Sequence, residues 1–367
     1  MGADVRVVLI GAGRAGLVHG RNFAAGVRGA RLVGVCEPDD QARESALAEL
    51  GCERGFTDPL EAVADDDVDA VVVASPTFTH PDITVAALKA GTHVLCEKPL
   101  AASLDEAHAI KAAATSSDAA FLMGFMRRFD QSFRRAAERL HVGDIGEPLL
   151  IRSTGRGPGL PPRWAWNTDL SGGMISEVNA HDLDSLRWLT GQEYHRAYAV
   201  GRAAKRPDIA ESNPGFVDLV TVTFELTGGA VGQVDGACPA DYGYDARVEI
   251  YGSEGMLHIG DTRANSTVLV RSDGIVADPV TSWRTLFADA YRAEDQHLAD
   301  VAHGLEEPKT RIDDGIAALE AAIATNQSMA TGEPVHIDAR LRDGSRSGGS
   351  GTPGGAGETN PTRTVHH

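Results

Sequence analysis

The apolar run VRVVLI at residues 5–10 is followed at once by GAGRAG. No other feature restricts the fold as much: a Gly-x-Gly-x-x-Gly turn between a buried strand and a helix is how a dinucleotide-binding βαβ unit begins. Gly11 permits the tight turn, Gly13 lets the backbone approach a pyrophosphate, and Gly16 allows the helix to pack closely on the strand. Arg14 and Ala15 lie at the helix start, where free N–H groups face phosphate oxygens. Alone, such a pattern is often just a turn, so its setting decides. Three more runs rich in Val, Ile and Leu follow: ARLVGVCE at 30–37, DAVVVAS at 69–75 and HVLCEK at 93–98. Separated by helix-like segments, they read as parallel strands buried on both faces. Glu37 ends the second of them, where a carboxylate accepts hydrogen bonds from an adenosine ribose and repels a 2′-phosphate. NAD is therefore expected over NADP, with Arg14 and Arg43 the side chains able to swing toward such a phosphate.

After residue 125 the pattern changes. RGPGLPPRWAW at 156–166 reads as a loop, and the alternating runs DLVTVTFEL, AVGQVDGA, ARVEIYG and GMLHIG, joined by short turns, read as an antiparallel sheet. Two helical stretches, WRTLFADAYRAEDQHLADVAHG and DDGIAALEAAIATNQSMATG, close the folded part. The expectation is a doubly wound α/β Rossmann domain over residues 1–125 and an α+β domain with an open, mainly antiparallel sheet over 126–340. Residues 341–367 are rich in Gly, Ser, Pro and Thr without apolar anchors, and are expected to form a disordered tail.

Composition narrows the functional classes. The formal net charge of -18 opposes general affinity for nucleic acid. No apolar run approaches the roughly 20 residues that span a bilayer, and the first residues lack the pattern of a secretion signal, so a cytoplasmic location is expected. Cys36, Cys52, Cys96 and Cys238 form no Cys-x-x-Cys pair and read as reduced, mostly structural thiols.

Two further segments carry chemistry. CEKPL sets Lys98 at the carboxyl end of a buried strand, where open α/β sheets bind ligands, and Pro99 restricts it to extended geometry. There a lysine can bond a substrate hydroxyl and stabilise negative charge developing on its oxygen. The second segment is GGMISEVNAHDLDSLRWL at 172–189. Taken as one helix over residues 174–189, it gathers Ile175, Val178, Leu186 and Leu189 on an inward face, and puts Glu177 within reach of His181 at i, i+4. Neutral imidazole suits removal of a hydroxyl proton, with the carboxylate orienting the ring. A plain surface pair is the bland alternative. A metal would need further ligands, and no His-Glu-x-x-His is present, so none is expected. Asp182 falls among the apolar residues and is expected to be buried and structural.

Together, GAGRAG, CEKPL, GFMRRFD at 124–130 and the 172–189 segment resemble the glucose-fructose oxidoreductase, inositol dehydrogenase and rhizopine-catabolism (Gfo/Idh/MocA) oxidoreductase family, over roughly residues 1–340. The resemblance implies NAD(P)-dependent oxidation of a ring hydroxyl on a cyclitol, sugar or aminosugar. It also implies homodimers or homotetramers assembled through the exposed sheet face. By the same resemblance Lys98 matches the lysine of the Glu-Lys-Pro motif and His181 the base, with Glu177 as their catalytic partner. Ser75, Thr77 and His80 in SPTFTH, together with Glu97, are assigned to the cofactor, and Arg127, Arg163, Trp164 and Trp166 to the substrate pocket. The inositol dehydrogenases place aspartate four residues before the histidine, where this chain has Glu177, which loosens the substrate; with the acidic surface, that carboxylate points to an amino-bearing ring such as an aminoglycoside or its precursor, because a carboxylate can pair with ammonium. The competing readings are a non-catalytic dinucleotide- and sugar-binding sensor of the same fold and a metal-assisted hydrolase or lyase.

Overall fold

The computed structural model describes residues 3–338, so the expected tail at 341–367 lies outside the described residues. Strands β1 (Val5–Ile10), β2 (Ala30–Cys36), β3 (Arg54–Phe56), β4 (Ala70–Val73), β5 (His93–Glu97) and β6 (Phe121–Gly124) form one parallel sheet in the order β3-β2-β1-β4-β5-β6. Their composition explains this: Val7, Val8, Val35, Val71, Val72 and Val94 are all fully buried, so neither face could meet water. One face packs on helices Gly16–Gly26 and Asp40–Leu50, through residues such as Phe23 and Leu50. Helix Ala288–Ala302, far along the chain, returns to the same face with Leu298, Ala299 and Val301. The other face is covered by His80–Ala90 and Leu104–Thr115, and its core continues into the second sheet. Strand order reverses between β1 and β4, and the crevice at their carboxyl ends is where such sheets take ligands.

The second sheet contains β7 (Pro148–Arg156), β8 (Tyr194–Arg202), β9 (Leu219–Leu226), β10 (Val231–Ala237), β11 (Asp245–Gly252) and β12 (Met256–Ile259). An exposed hairpin of β13 (Arg263–Arg271) and β14 (Gly274–Pro279) follows, and the short β15 (Val335–His336) joins the sheet at its edge. The order is β12-β11-β7-β10-β9-β8-β15, antiparallel except where β10 runs parallel to β7. Burial alternates strictly along LVTVTFEL, as a sheet covered on one face requires. Ala180–Thr190 and Ile312–Thr331 cover that face, and the open one carries Tyr198, Val200, Tyr251 and Met256.

The single helix expected over 174–189 is two helices, Gly173–Glu177 and Ala180–Thr190, interrupted at Val178 and Asn179. The interruption is held by Asn179, whose amide donates to the Gly155 carbonyl at 3.1 Å and to Asp182 at 2.7 Å. Two strand glycines make room for it: a Cβ on Gly155 would lie 1.9 Å from the Asp182 carboxylate, and one on Gly236 would lie 2.3 Å from the Asn179 side chain. Asp182 is buried as expected, accepting from Arg127 at 2.7 Å and Ser153 at 2.6 Å.

Candidate active site

The turn after β1 is closed to side chains where structure demands it and open where a ligand would come. Gly11 has φ +96°, and a Cβ there would lie 2.7 Å from the Ala74 carbonyl oxygen. A Cβ on Gly16 would stand 1.9 Å from the Gly11 carbonyl oxygen. At Gly13 nothing lies within 4 Å, which leaves bare backbone beside an open hollow at the start of Gly16–Gly26. A pyrophosphate fits such a hollow. Glu37 stands at its rim, accepting from the Ala12 amide at 3.0 Å and the Asp39 amide at 3.2 Å. Arg43 is tied to the Glu37 carbonyl at 2.8 Å and to Asp40 at 2.5 Å, whereas Arg14 lines the hollow.

The hollow is one end of a cavity of 1290 Å³. That end is walled by Thr57, Asp58 and Leu60, and the other holds Lys98, Glu177 and His181. Lys98 extends from the end of β5 and donates to the Glu177 carbonyl oxygen at 2.7 Å. Thr77 donates to the Glu177 carboxylate at 2.6 Å. Glu177 and His181 do not form the pair that one continuous helix would give, because the interruption turns the carboxylate toward Thr77. His181 is 5% exposed, and its Nδ1 has no hydrogen-bond partner. Burial, reinforced by the charges of Lys98 and Arg127, pushes its imidazole well below the usual range, so the ring is neutral and able to accept a proton. Burial pushes the Glu177 carboxyl above its usual range, against the opposing influence of Lys98 and the Thr77 hydrogen bond.

Of the residues singled out from sequence, Gly11, Gly13, Arg14, Ala15, Glu37, Ser75, Thr77, Glu97, Lys98, Trp164, Glu177 and His181 line this one cavity. Gly16 packs behind it. Four others do not line it. The His80 ring is buried between the Pro99 carbonyl at 2.8 Å and the Ser75 carbonyl at 2.9 Å, so it braces the two loops rather than facing a ligand. Arg127 is sequestered in the core on Asp182, over the rings of Phe133 and Phe287. Trp166 turns its indole N–H to the Pro161 carbonyl at 3.1 Å, and Arg163 stacks over that ring with 5.8 Å to its centroid. Four aromatic lining residues had no place in the sequence reading: Phe78, Tyr244, Trp283 and Tyr291. Phe78 sits inside SPTFTH and was within reach of that reading; the others come from distant segments with no local signal. Among the described residues no group of three or more His, Cys, Asp or Glu side chains could hold a metal ion.

The oxidoreductase family with an NAD-binding Rossmann fold matches residues 5–125, and the GFO/IDH/MocA C-terminal domain matches residues 133–258. A scyllo-inositol 2-dehydrogenase (NAD(+)) of Bacillus subtilis is 34% identical, over 92% of this chain and 97% of its own length. A myo-inositol 2-dehydrogenase of Thermotoga maritima is 31% identical, over 91% and 99%. The crystal structure of a scyllo-inositol dehydrogenase from Lactobacillus casei, with bound NAD(H) and scyllo-inositol, superposes with a TM-score of 0.84 at 27% identity, covering 91% of this chain and 99% of that one.

Proposed function

Because the chain belongs to the GFO/IDH/MocA oxidoreductase family in both its NAD-binding and its C-terminal parts, we propose that it is an NAD-dependent dehydrogenase oxidising a ring hydroxyl of a cyclitol to a ketone. The observation that carries this reading is the convergence of Lys98, Glu177 and His181 on the cavity that begins at the glycine turn. A sensor without chemistry has no need of a neutral, buried base beside a lysine.

In this mechanism the bare backbone at Gly13 and the start of helix Gly16–Gly26 bind the pyrophosphate, and Glu37 accepts from the ribose hydroxyls. Bound NAD supplies the acceptor for the hydride leaving the carbinol carbon. The Lys98 ammonium bonds the reacting hydroxyl oxygen and stabilises the negative charge that develops there. Neutral His181 takes the hydroxyl proton, and burial, which disfavours its charged form, lets it release that proton afterwards. Glu177, fixed by Thr77, holds a neighbouring ring hydroxyl and sets the ring's orientation. Phe78 and Trp164, ring centroids 5.8 Å apart, offer apolar faces to the C–H side of the ring.

The substrate class follows from the charges. Arg127 is committed to Asp182 and Arg128 to Asp184 and Asp314, so neither guanidinium is free to hold a phosphorylated sugar. Lys98 bonded to the backbone of Glu177 disfavours an ammonium at that position, so a neutral inositol is preferred over an aminocyclitol. Assembly into a homodimer or homotetramer through the open sheet face of Tyr198, Val200, Tyr251 and Met256, and work in the cytoplasm, complete the proposal. The test is the initial rate of NAD reduction across inositols, free sugars, nucleotide sugars and aminocyclitols. Turnover of an inositol is expected. Silence across the panel from folded protein that binds NAD would refute the reading.

A further inference from the structure

Behind Lys98 lies a buried ionic chain that the mechanism above does not use. His19, in the helix that opens the phosphate site, is fully buried; its Nδ1 lies 2.6 Å from Asp295 Oδ1 and its Nε2 3.1 Å from Glu97 Oε1. Asn22 donates to the second Asp295 oxygen at 2.7 Å, and the second Glu97 oxygen accepts from the Lys98 backbone amide at 3.0 Å. We propose that His19 is a positioning residue for the reaction: bonded to a carboxylate through each ring nitrogen, it fixes Glu97, and through Glu97 it fixes the backbone that aims Lys98.

The geometry carries this. A ring with a carboxylate on each nitrogen satisfies both only by donating from both, which makes it an imidazolium. Burial opposes that charge, and Asp295 and Glu97 outweigh it, holding His19 well above its usual range. Burial likewise works against the Glu97 charge, and His19 is the main influence that keeps its carboxyl below the usual range, with Lys98 adding to it. The other ionisable groups packed around the chain are Glu294 and Tyr291 from helix Ala288–Ala302, and His80 and Glu177 across the cavity. Burial pushes Glu294 and Tyr291 well above their usual ranges, so both are neutral and cannot replace the cation. The Tyr291 ring packs edge-on against His19, with 5.3 Å between ring centroids. Without His19, two buried carboxylates would share the space with no cation between them, and Glu97 would take up a proton at higher pH and release its grip on the turn.

The proposal rests on the assignment of Lys98 to the substrate, and its test separates the two. In the free protein, ¹⁵N NMR of histidine-labelled material should show His19 protonated on both nitrogens at pH 7, above the ordinary imidazole range. A neutral tautomer at pH 7 would overturn the ionic chain whether or not any substrate is turned over. In the kinetic arm, His19→Asn should lower kcat by about tenfold to a hundredfold, the cost of a misaimed group, with substrate KM and NAD affinity kept within about twofold. The acid limb of its kcat profile should also move to higher pH. Glu97→Gln should lower kcat similarly without that limb, and the double variant should be no worse than either single one. Additive losses, or a lower melting temperature with an unmoved pH profile, would show a merely structural contact and overturn the proposal. If His19→Asn does not fold, Glu97→Gln and the NMR measurement still decide it.

Discussion

Replacing Thr77 by valine removes one hydroxyl and almost no volume, and tests whether ionised Glu177 is part of the working site. The Thr77 hydroxyl donates to the Glu177 carboxylate at 2.6 Å in a shielded place. A hydrogen bond to a charged group contributes about 1.5–3 kcal/mol. All of it favours the ionised carboxylate, so the variant should lose about 10-fold to 150-fold in kcat/KM on the acid side of the profile, where ionisation limits the rate. Burial already holds the carboxyl above its usual range, and Thr77 is one of the influences opposing that. Losing the donor therefore favours protonation, and the acid limb should move to higher pH while the alkaline plateau stays near the parent value. The assay is kcat/KM by NAD reduction between pH 5 and 10, alongside a thermal melt and an NAD titration to show that fold and cofactor site survive. A profile that falls equally at every pH, or does not move, would mean that ionised Glu177 does not limit the reaction.

Further outcomes are expected. Lys98→Ala and His181→Ala should each lower kcat by about a hundredfold or more with NAD affinity retained, and unchanged turnover would remove that residue from the mechanism. Glu37→Ser should relax discrimination against NADP, read as the ratio of kcat/KM for the two cofactors; an unmoved ratio would refute its role at the ribose. Asp182→Ala leaves the buried Arg127 cation without its partner, costing about 3–5 kcal/mol, so the melting temperature should fall by about 10 °C; a fall under about 2 °C would contradict the pairing.

Four of the first sheet's six strands were readable because parallel strands buried on both faces leave continuous aliphatic runs: VRVVLI is β1 itself, and HVLCE within the fourth run is β5, whereas the short β3 and β6 were not read. The same holds for the turn and Glu37, whose spacing from the glycines is a local property. β7 and β8 were not read, since PLLIRSTGR and YHRAYAVGR carry polar and charged residues on an open face and lack a clean alternation. The interruption at Val178 and Asn179 was hidden because it depends on Gly155 and Gly236, contributed by strands on either side of it in the chain. Arg127 was misplaced for a similar reason: a guanidinium in a GFMRRF segment looks like a ligand contact until the buried Asp182 is seen beside it. His80 and Trp166 are polar-tipped rings that found backbone carbonyls, which no pattern of residue types announces. The Asp182 expectation succeeded because it required only helical spacing and the cost of an unpaired buried charge.

The seat that Gly155 and Gly236 provide for the helix interruption has a consequence for how such a protein diversifies. Neither glycine can gain a methyl group without striking Asn179 or Asp182, so Lys98, Glu177 and His181 meet through a junction that tolerates almost no variation. Phe78, Trp164 and Trp283 line the cavity from three separate short helical turns and do not take part in that junction. Laboratory evolution toward a new polyol should therefore accumulate changes at the rim and leave positions 155, 179, 182 and 236 untouched, because novelty and chemistry are inherited from different parts of the chain.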